Sequence, residues 1–443
     1  MLVKKEIMIF GLIVFGLCSF LLFNMNKKEF VSEKLEAVIM YKDNDKMVIE
    51  DNDHVLYLID DINEKLGTRI VLEYSNINNN IIDKVISYQV INELDNKLLP
   101  KNLQDNGIFS DYYTMAYNKL NTMSISEKIS QLLLVKYQND LGDIVIKNNF
   151  GGIILDKNFF NNKNSDDVIR FTYNIQSKTK IPLLIGTNEE GGEQIPISSN
   201  SNLVSVPFSS PSKLYKEGGL PLIKEDTIKK SDILYKLGLN LNLAPSVDVS
   251  DSNTYIYERT LKEDIEKTSE YAKTVIEASK NTGVSYVLKH FPNYHNNLDT
   301  NTWVSVDNRS KEKIMEDIKP FKEGIKVGAE AILVNNNVIK AIDESNPASL
   351  SLNVHNLLRD ELRFTGVIIS DDLDEGALDN VSNKYLKAIM RGNDLIITSN
   401  YDDAINEIGN AIINNSISEE LINYHVFRIL AWKLYKGMML DEK

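Results

Sequence analysis

A single cysteine, Cys18, stands in 443 residues. An intrachain disulfide is therefore excluded, and cysteine usage carries no information about redox compartment. Histidine is scarce as well. The five in the chain are His54, His290, His295, His355 and His425, and their spacing matches no zinc site, so no metal is expected. Neither a phosphate-binding loop nor a dinucleotide fingerprint occurs, and no cofactor is expected. Basic residues are outnumbered, 49 Lys and Arg against 63 Asp and Glu, for a net charge of −14. A surface of that sign repels a phosphate backbone and argues against a nucleic-acid partner. With 43% apolar residues and a quarter of the chain charged, a packed core is within reach and disorder is not the default.

One apolar run stands apart. Residues 7–25 form 19 consecutive positions without a charge, the length that crosses a bilayer core as a helix. Lys4 and Lys5 precede it, which places that end on the cytoplasmic side, although Lys27 and Lys28 follow. No small-x-small site follows the run. Residues 1–30 are thus expected to be a membrane anchor, and the protein a single-pass resident of the cell membrane with its bulk extracytoplasmic. A cleaved signal peptide is the alternative.

Residues 31–92 read as a small β-rich domain. Apolar alternation recurs at 37–41, 47–50, 54–59, 69–74 and 84–90, and the breaks hold Asp, Asn and Gly, as turns require. Five short strands suggest a small barrel or sandwich. Residues 93–112 are polar, carry Pro100, and read as a linker.

From residue 113 to the end the pattern becomes alternating strands and helices. Strand-like runs recur eight times, at 131–137, 152–156, 182–187, 239–247, 284–290, 329–335, 366–371 and 394–399. Most are continuously apolar, as in strands buried on both faces of a parallel sheet. Residues 264–280 and 310–326 are amphipathic helices between them. A final long helix begins at a capping box, Ser416 to Glu419, and stops before Gly437. Eight such units make the expected fold class α/β, a (β/α)8 TIM barrel preceded by a small all-β domain and an N-terminal transmembrane helix. A doubly wound open sheet fits less well, since it favours a Gly-rich first turn that is missing here.

In such a barrel the strand C-termini face the active site. Strand three runs into Asn188-Glu189-Glu190-Gly191-Gly192, strand four into Pro245-Ser246-Val247-Asp248, strand five into Lys289-His290-Phe291-Pro292 and strand seven into Ser370-Asp371-Asp372. Carboxylates, a lysine and a histidine thus converge on one mouth. Asp371 follows a buried strand, so its carboxylate is expected to be rigid and partly desolvated. A carboxylate so held can stabilise an oxocarbenium ion or attack it. Asp372 should point away and cap the next helix. Lys289 and His290 are adjacent and share a ligand only if the chain turns at Phe291-Pro292.

Glu190-Gly191-Gly192, Lys289-His290-Phe291-Pro292 and the run from Gly366 through Asp371 to Leu373 together resemble glycoside hydrolase family 3. The likeness is greatest to its single-domain β-N-acetylglucosaminidases acting on cell-wall fragments. It spans residues 120–440 and includes Gly151-Gly152, the segment from Asn242 to Asp248, and the closing run from Arg428 to Leu434. What the resemblance implies is a retaining hydrolase of a carbohydrate, cell-wall glycan. Asp371 is its nucleophile, and Arg259, Lys289, His290, Asn188 and Asn301 contact the sugar. An Asp-x-His pair on the loop after strand five serves as acid/base in this branch.

Several positions depart from that pattern. Asn188 stands where the family has aspartate, and Glu193 where it has arginine. Asn293-Tyr294-His295 replaces Gly-His-Gly. Counting back from Arg309 puts the pair's aspartate at Asp299 and its histidine at Asn301, whose amide has no titratable proton. Three readings are open. His295 swings in as the acid, the enzyme is slow or narrow, or the chain binds glycan without cutting it.

Overall fold

The computed structural model describes residues 32–439 apart from 44–45, 52–54, 65–67, 76, 79–80, 83, 93–106 and 139–140. The chain divides into two compact units, Met1–Leu98 and Leu99–Lys443.

The first unit contains β1 (Glu33–Asp43), β2 (Lys46–Asp51), β3 (Leu56–Asp60), β4 (Arg69–Tyr74), β5 (Ile77–Asn78), β6 (Ile81–Ile82) and β7 (Val85–Asn92). They form one sheet in the order β5-β6-β3-β2-β1-β4-β7. Inward residues at period two, among them Ile39, Ile49, Ile70 and Leu72, build its core. The expected five-stranded barrel or sandwich is corrected to a seven-stranded sheet. The added strands β5 and β6 have two residues each, too few to show a period. His54, expected to start the third strand, lies outside the described residues.

The second unit is a closed barrel of eight parallel strands, each beside the next in sequence and the eighth beside the first. They are Leu133–Lys136, Gly152–Ile154, Leu184–Thr187, Leu241–Asn242, Ser285–Phe291, Ala331–Val334, Val367–Asp372 and Leu395–Thr398. All eight fall inside or within a residue of the runs read from hydropathy. Their residues are almost all buried, because side chains fill the barrel on one face and meet helices on the other. Gly152 admits a close strand contact, since a Cβ there would lie 2.4 Å from the Leu184 carbonyl oxygen.

The helix boundaries differ from those expected. Asp264 caps the helix Ile265–Ser279 through the amide of Lys267. The stretch 310–326 is two helices, Lys311–Asp317 and Lys319–Lys326, with Pro320 opening the second, where its missing N–H costs nothing. The last helix is Glu419–Tyr435, and its cap is Ser418, whose hydroxyl accepts from the amide of Leu421. The capping box from Ser416 is therefore two residues early. Gly437 has φ +67° beyond the helix end, as expected.

The membrane expectation is corrected. Among the described residues no helix is long and apolar enough to cross a membrane, and residues 7–25 lie outside them. The longest helix among the described residues, Pro211–Lys236, carries Lys, Glu and Asp along its length and bends at Gly219. The transmembrane part of the expected fold, and with it the single-pass location in a cell membrane, has no support in the described structure.

Candidate active site

A cavity of about 270 Å³ opens at the C-terminal mouth of the barrel. Asn188, Arg259, Lys289, His290, Asp299, Asn301 and Asp371 all line it. Side chains from the ends of strands three, five and seven thus meet in one pocket with those of two loops.

One wall is organised by Glu190. Asn242 receives the amide of Glu189 at 3.0 Å and donates to its carbonyl at 3.0 Å, which fixes the chain as it leaves strand three. Gly191 and Gly192 then adopt φ +101° and +71°. A Cβ on Gly191 would fall 2.2 Å from the Ser209 carbonyl oxygen, so the turn admits only glycine. Arg259 donates from Nε and Nη2 to the two oxygens of Glu190 at 3.0 and 2.6 Å. Lys289 Nζ lies 2.6 Å from Glu190 Oε1 and also donates to Asn188 Oδ1. Burial pushes the Glu190 carboxyl up, but Arg259 and Lys289 outweigh it and hold it at about 2. Burial lowers the Lys289 ammonium, against the pull of Glu190.

Asp248, on the segment that follows strand four, orients His290. Its Oδ2 lies 2.8 Å from His290 Nδ1 and accepts from Ser246 Oγ at 2.7 Å. Its Oδ1 accepts from the amide of Tyr294 at 2.7 Å. Burial raises this carboxyl, and His290 with the other donors brings it below its ordinary value. His290 Nε2 lies 3.3 Å from Arg259 Nη2, so with Nδ1 turned to Asp248 its lone pair faces the guanidinium. The Lys289–His290 peptide is cis, and both side chains line the pocket.

The opposite wall is acidic. Asp371 is half-buried at the end of strand seven. Asp372 does not point away as expected. It lines the pocket too and pairs with Lys136 Nζ at 2.7 Å. The next α-helix, Lys384–Met390, has no side-chain cap, and Asp374 accepts instead from the amides of Ser399 and Asn400 at 2.7 and 3.1 Å, ahead of the helix Tyr401–Ile413. Glu375 also faces the cavity and accepts from Asn336 Nδ2 at 2.9 Å. Burial and the neighbouring Asp371 charge push its carboxyl up to about 9.

The loop after strand five closes the pocket. Asn301 donates to Asp299 Oδ1 from its side chain at 2.8 Å and its backbone at 3.0 Å. Tyr294 Oη accepts the amide of Thr300 at 3.1 Å, pinning the loop. His295 is not among the lining residues. Its Nε2 lies 3.6 Å from Asp251.

Glu190, Asp248, Lys136 and Glu375 are site residues that sequence reasoning did not assign. The first two lay within strand-end motifs already singled out. Lys136 closes strand one and Glu375 ends an acidic run after Asp371, signals too common to select them.

A sugar-sized pocket with carboxylates on one wall and cations on the other, at the mouth of a parallel barrel, defines a carbohydrate-active barrel protein. The Glycosyl hydrolase family 3 N terminal domain matches residues 124–432. Similar proteins include a beta-hexosaminidase of Glaesserella parasuis, 28% identical over 58% of this chain and 76% of that protein. One of Histophilus somni is 28% identical over 66% of this chain and 84% of that one. A solved structure, a family 3 beta-N-acetylglucosaminidase from Paenibacillus sp., is 25% identical with a TM-score of 0.66, over 72% of this chain. The chain spans 64% of that enzyme's length. The chain belongs to glycoside hydrolase family 3 and is a β-N-acetylhexosaminidase-like O-glycosyl hydrolase.

Proposed function

We propose that this protein releases a terminal β-linked N-acetylglucosamine from cell-wall glycan fragments, with retention of configuration. The observation that carries the reading is the placement of Asp371 in one pocket with Lys289, His290 and Arg259. Names of the similar hexosaminidases support the sugar.

Arg259, Lys289, His290 and Asn188 hydrogen-bond ring hydroxyls, which together fix the anomeric carbon against Asp371. The Asp371 carboxylate attacks that carbon and forms a glycosyl ester, and water then releases the sugar. Asp299 and Asn301 contact the sugar from the loop side. The departing oxygen needs a proton, a contribution typically worth about 10²–10⁴-fold. Acid–base and nucleophilic chemistry of this kind requires no cofactor.

The test is turnover of an aryl β-N-acetylglucosaminide, with the first-formed anomer read by NMR. The expected product is the β-anomer, with activity abolished in Asp371→Ala. An α-anomer, or an Asp371→Ala chain as active as the parent, contradicts the reading.

A further inference from the structure

We propose that Glu375 is the acid/base catalyst of this site, standing in space where the loop offers Asn301 in place of a histidine. The inference rests on the retaining reading of Asp371 above.

Four observations support it. First, Glu375 lines the same pocket as Asp371, and only 8% of it is exposed. Second, it lies directly against the loop. The amide of Gly376 donates to the Asn301 carbonyl at 3.0 Å and that of Ala377 to the Thr300 carbonyl at 3.1 Å, and Thr300 adds a side-chain hydrogen bond to Glu375. Third, it is held in place. Ser349 Oγ donates to Asn336 Oδ1 at 2.6 Å, and Asn336 Nδ2 donates to Glu375 Oε2 at 2.9 Å. Fourth, three neighbouring side chains are engaged elsewhere or unfit for the role. His295 faces Asp251, and Asn301 holds no titratable proton. Asp372 is tied to Lys136.

Its surroundings also fit the task. Burial, Asp371 and Asp372 keep the carboxyl protonated, at about 9, and the hydrogen bonds from Asn336 and Thr300 only partly oppose them. A carboxyl with that value donates a proton at neutral pH. In the first step an Asp371 oxygen bonds to the anomeric carbon as the glycosidic bond breaks. The bond's electron pair goes to the leaving oxygen, which takes the Glu375 proton. Esterification removes the Asp371 charge, so the pKa of Glu375 falls and its carboxylate becomes a base. In the second step that carboxylate takes a proton from water while the water oxygen bonds to the anomeric carbon. The ester bond breaks, and Asp371 leaves as carboxylate with Glu375 protonated again. One carboxyl thus cycles between acid and base.

The test uses the full chain and two substrates, an activated dinitrophenyl β-N-acetylglucosaminide and chitobiose. Glu375→Gln keeps an acceptor for Asn336 and so preserves the packing, which a thermal melt checks. It should lower kcat/KM for chitobiose by about 10²–10⁴-fold and formation of the glycosyl ester from the dinitrophenyl substrate by less than about tenfold. The alkaline limb of the parent pH profile should vanish. In Glu375→Ala, added azide should yield the β-glycosyl azide. Equal losses on both substrates, an unchanged alkaline limb, or no azide product would overturn the assignment. Should the parent chain form no ester at Asp371, the retaining reading itself falls. If the ester forms but Glu375→Gln affects both substrates alike, only the role of Glu375 falls.

Discussion

Arg259 grips Glu190 with two nitrogens, and both partners are drawn out of water, the Arg259 side chain 13% and the Glu190 side chain 1% exposed. Removing the charge of Glu190 leaves Arg259 and Lys289 buried side by side. Breaking a buried pair in this way costs about 3–5 kcal/mol. Glu190→Gln is therefore expected to lower stability by that amount in denaturant melts and to raise KM, because the two sugar-holding cations lose their common anchor. A wild-type midpoint would contradict the structural account.

Acid should act through the same residue. The Glu190 carboxyl drops from an ordinary 4.5 to about 2 on folding, burial being outweighed by Arg259 and Lys289. A depressed carboxylate contributes stability that is complete above its unfolded value and is lost as pH falls through its folded one. Melting temperature should fall between about 4.5 and 2, and the part due to this group should be missing in Glu190→Gln. Parallel acid profiles for the two chains would show that Glu190 carries no such linkage.

His290 depends on Asp248 for its tautomer. Asp248→Ala removes the acceptor at Nδ1, together with those for Ser246 and the amide of Tyr294. A hydrogen bond to a charged group is worth roughly 1.5–3 kcal/mol, so kcat/KM should fall by about 10–100-fold. Rescue of part of that loss by Asp248→Asn, whose amide oxygen still accepts, would separate orientation from charge. Unchanged kinetics in Asp248→Ala would count against His290 as a sugar contact.

Asp394, which does not line the pocket, ties the last helix to the barrel. It pairs with Arg359 Nη2 at 2.8 Å, His425 Nδ1 at 2.9 Å and Arg428, and accepts the amide of Ile368 at 2.8 Å. Burial raises its carboxyl, but the two arginines hold it well below the usual carboxylate range. Asp394→Asn strands two buried guanidinium groups and should destabilise the barrel by about 3–5 kcal/mol. Kinetic constants of the fraction still folded should not change. Loss of kcat without loss of stability would instead mean that the bond to Ile368, on the strand that carries Asp371, acts on the pocket.

Much of this was legible in the sequence because buried parallel strands are written as unbroken apolar runs, and the polar residue after each run marks the mouth. Asp371 and Lys289 were singled out in that way, and both line the pocket. What the sequence concealed depends on contacts between distant segments. Asp372 was expected to point away from the mouth and cap a helix, yet it lines the pocket, paired with Lys136 from strand one. The Ser418 cap was misread by two residues because Ser416 and Glu419 have capping-box spacing. Two-residue strands in the first unit carry no periodic signal. Glu375 gave none either, since one acid among four in five positions is ordinary until the loop carrying Asn301 is seen packed against it.

The central claim is that Asp371 attacks the anomeric carbon. Incubation with a 2-deoxy-2-fluoro β-glycoside bearing an activated leaving group, followed by peptide mass mapping, tests it most directly. The account predicts a stoichiometric glycosyl ester on the peptide containing Asp371, absent in Asp371→Asn. An ester on another carboxylate, or none while the intact chain still cleaves β-N-acetylglucosaminides, would contradict it.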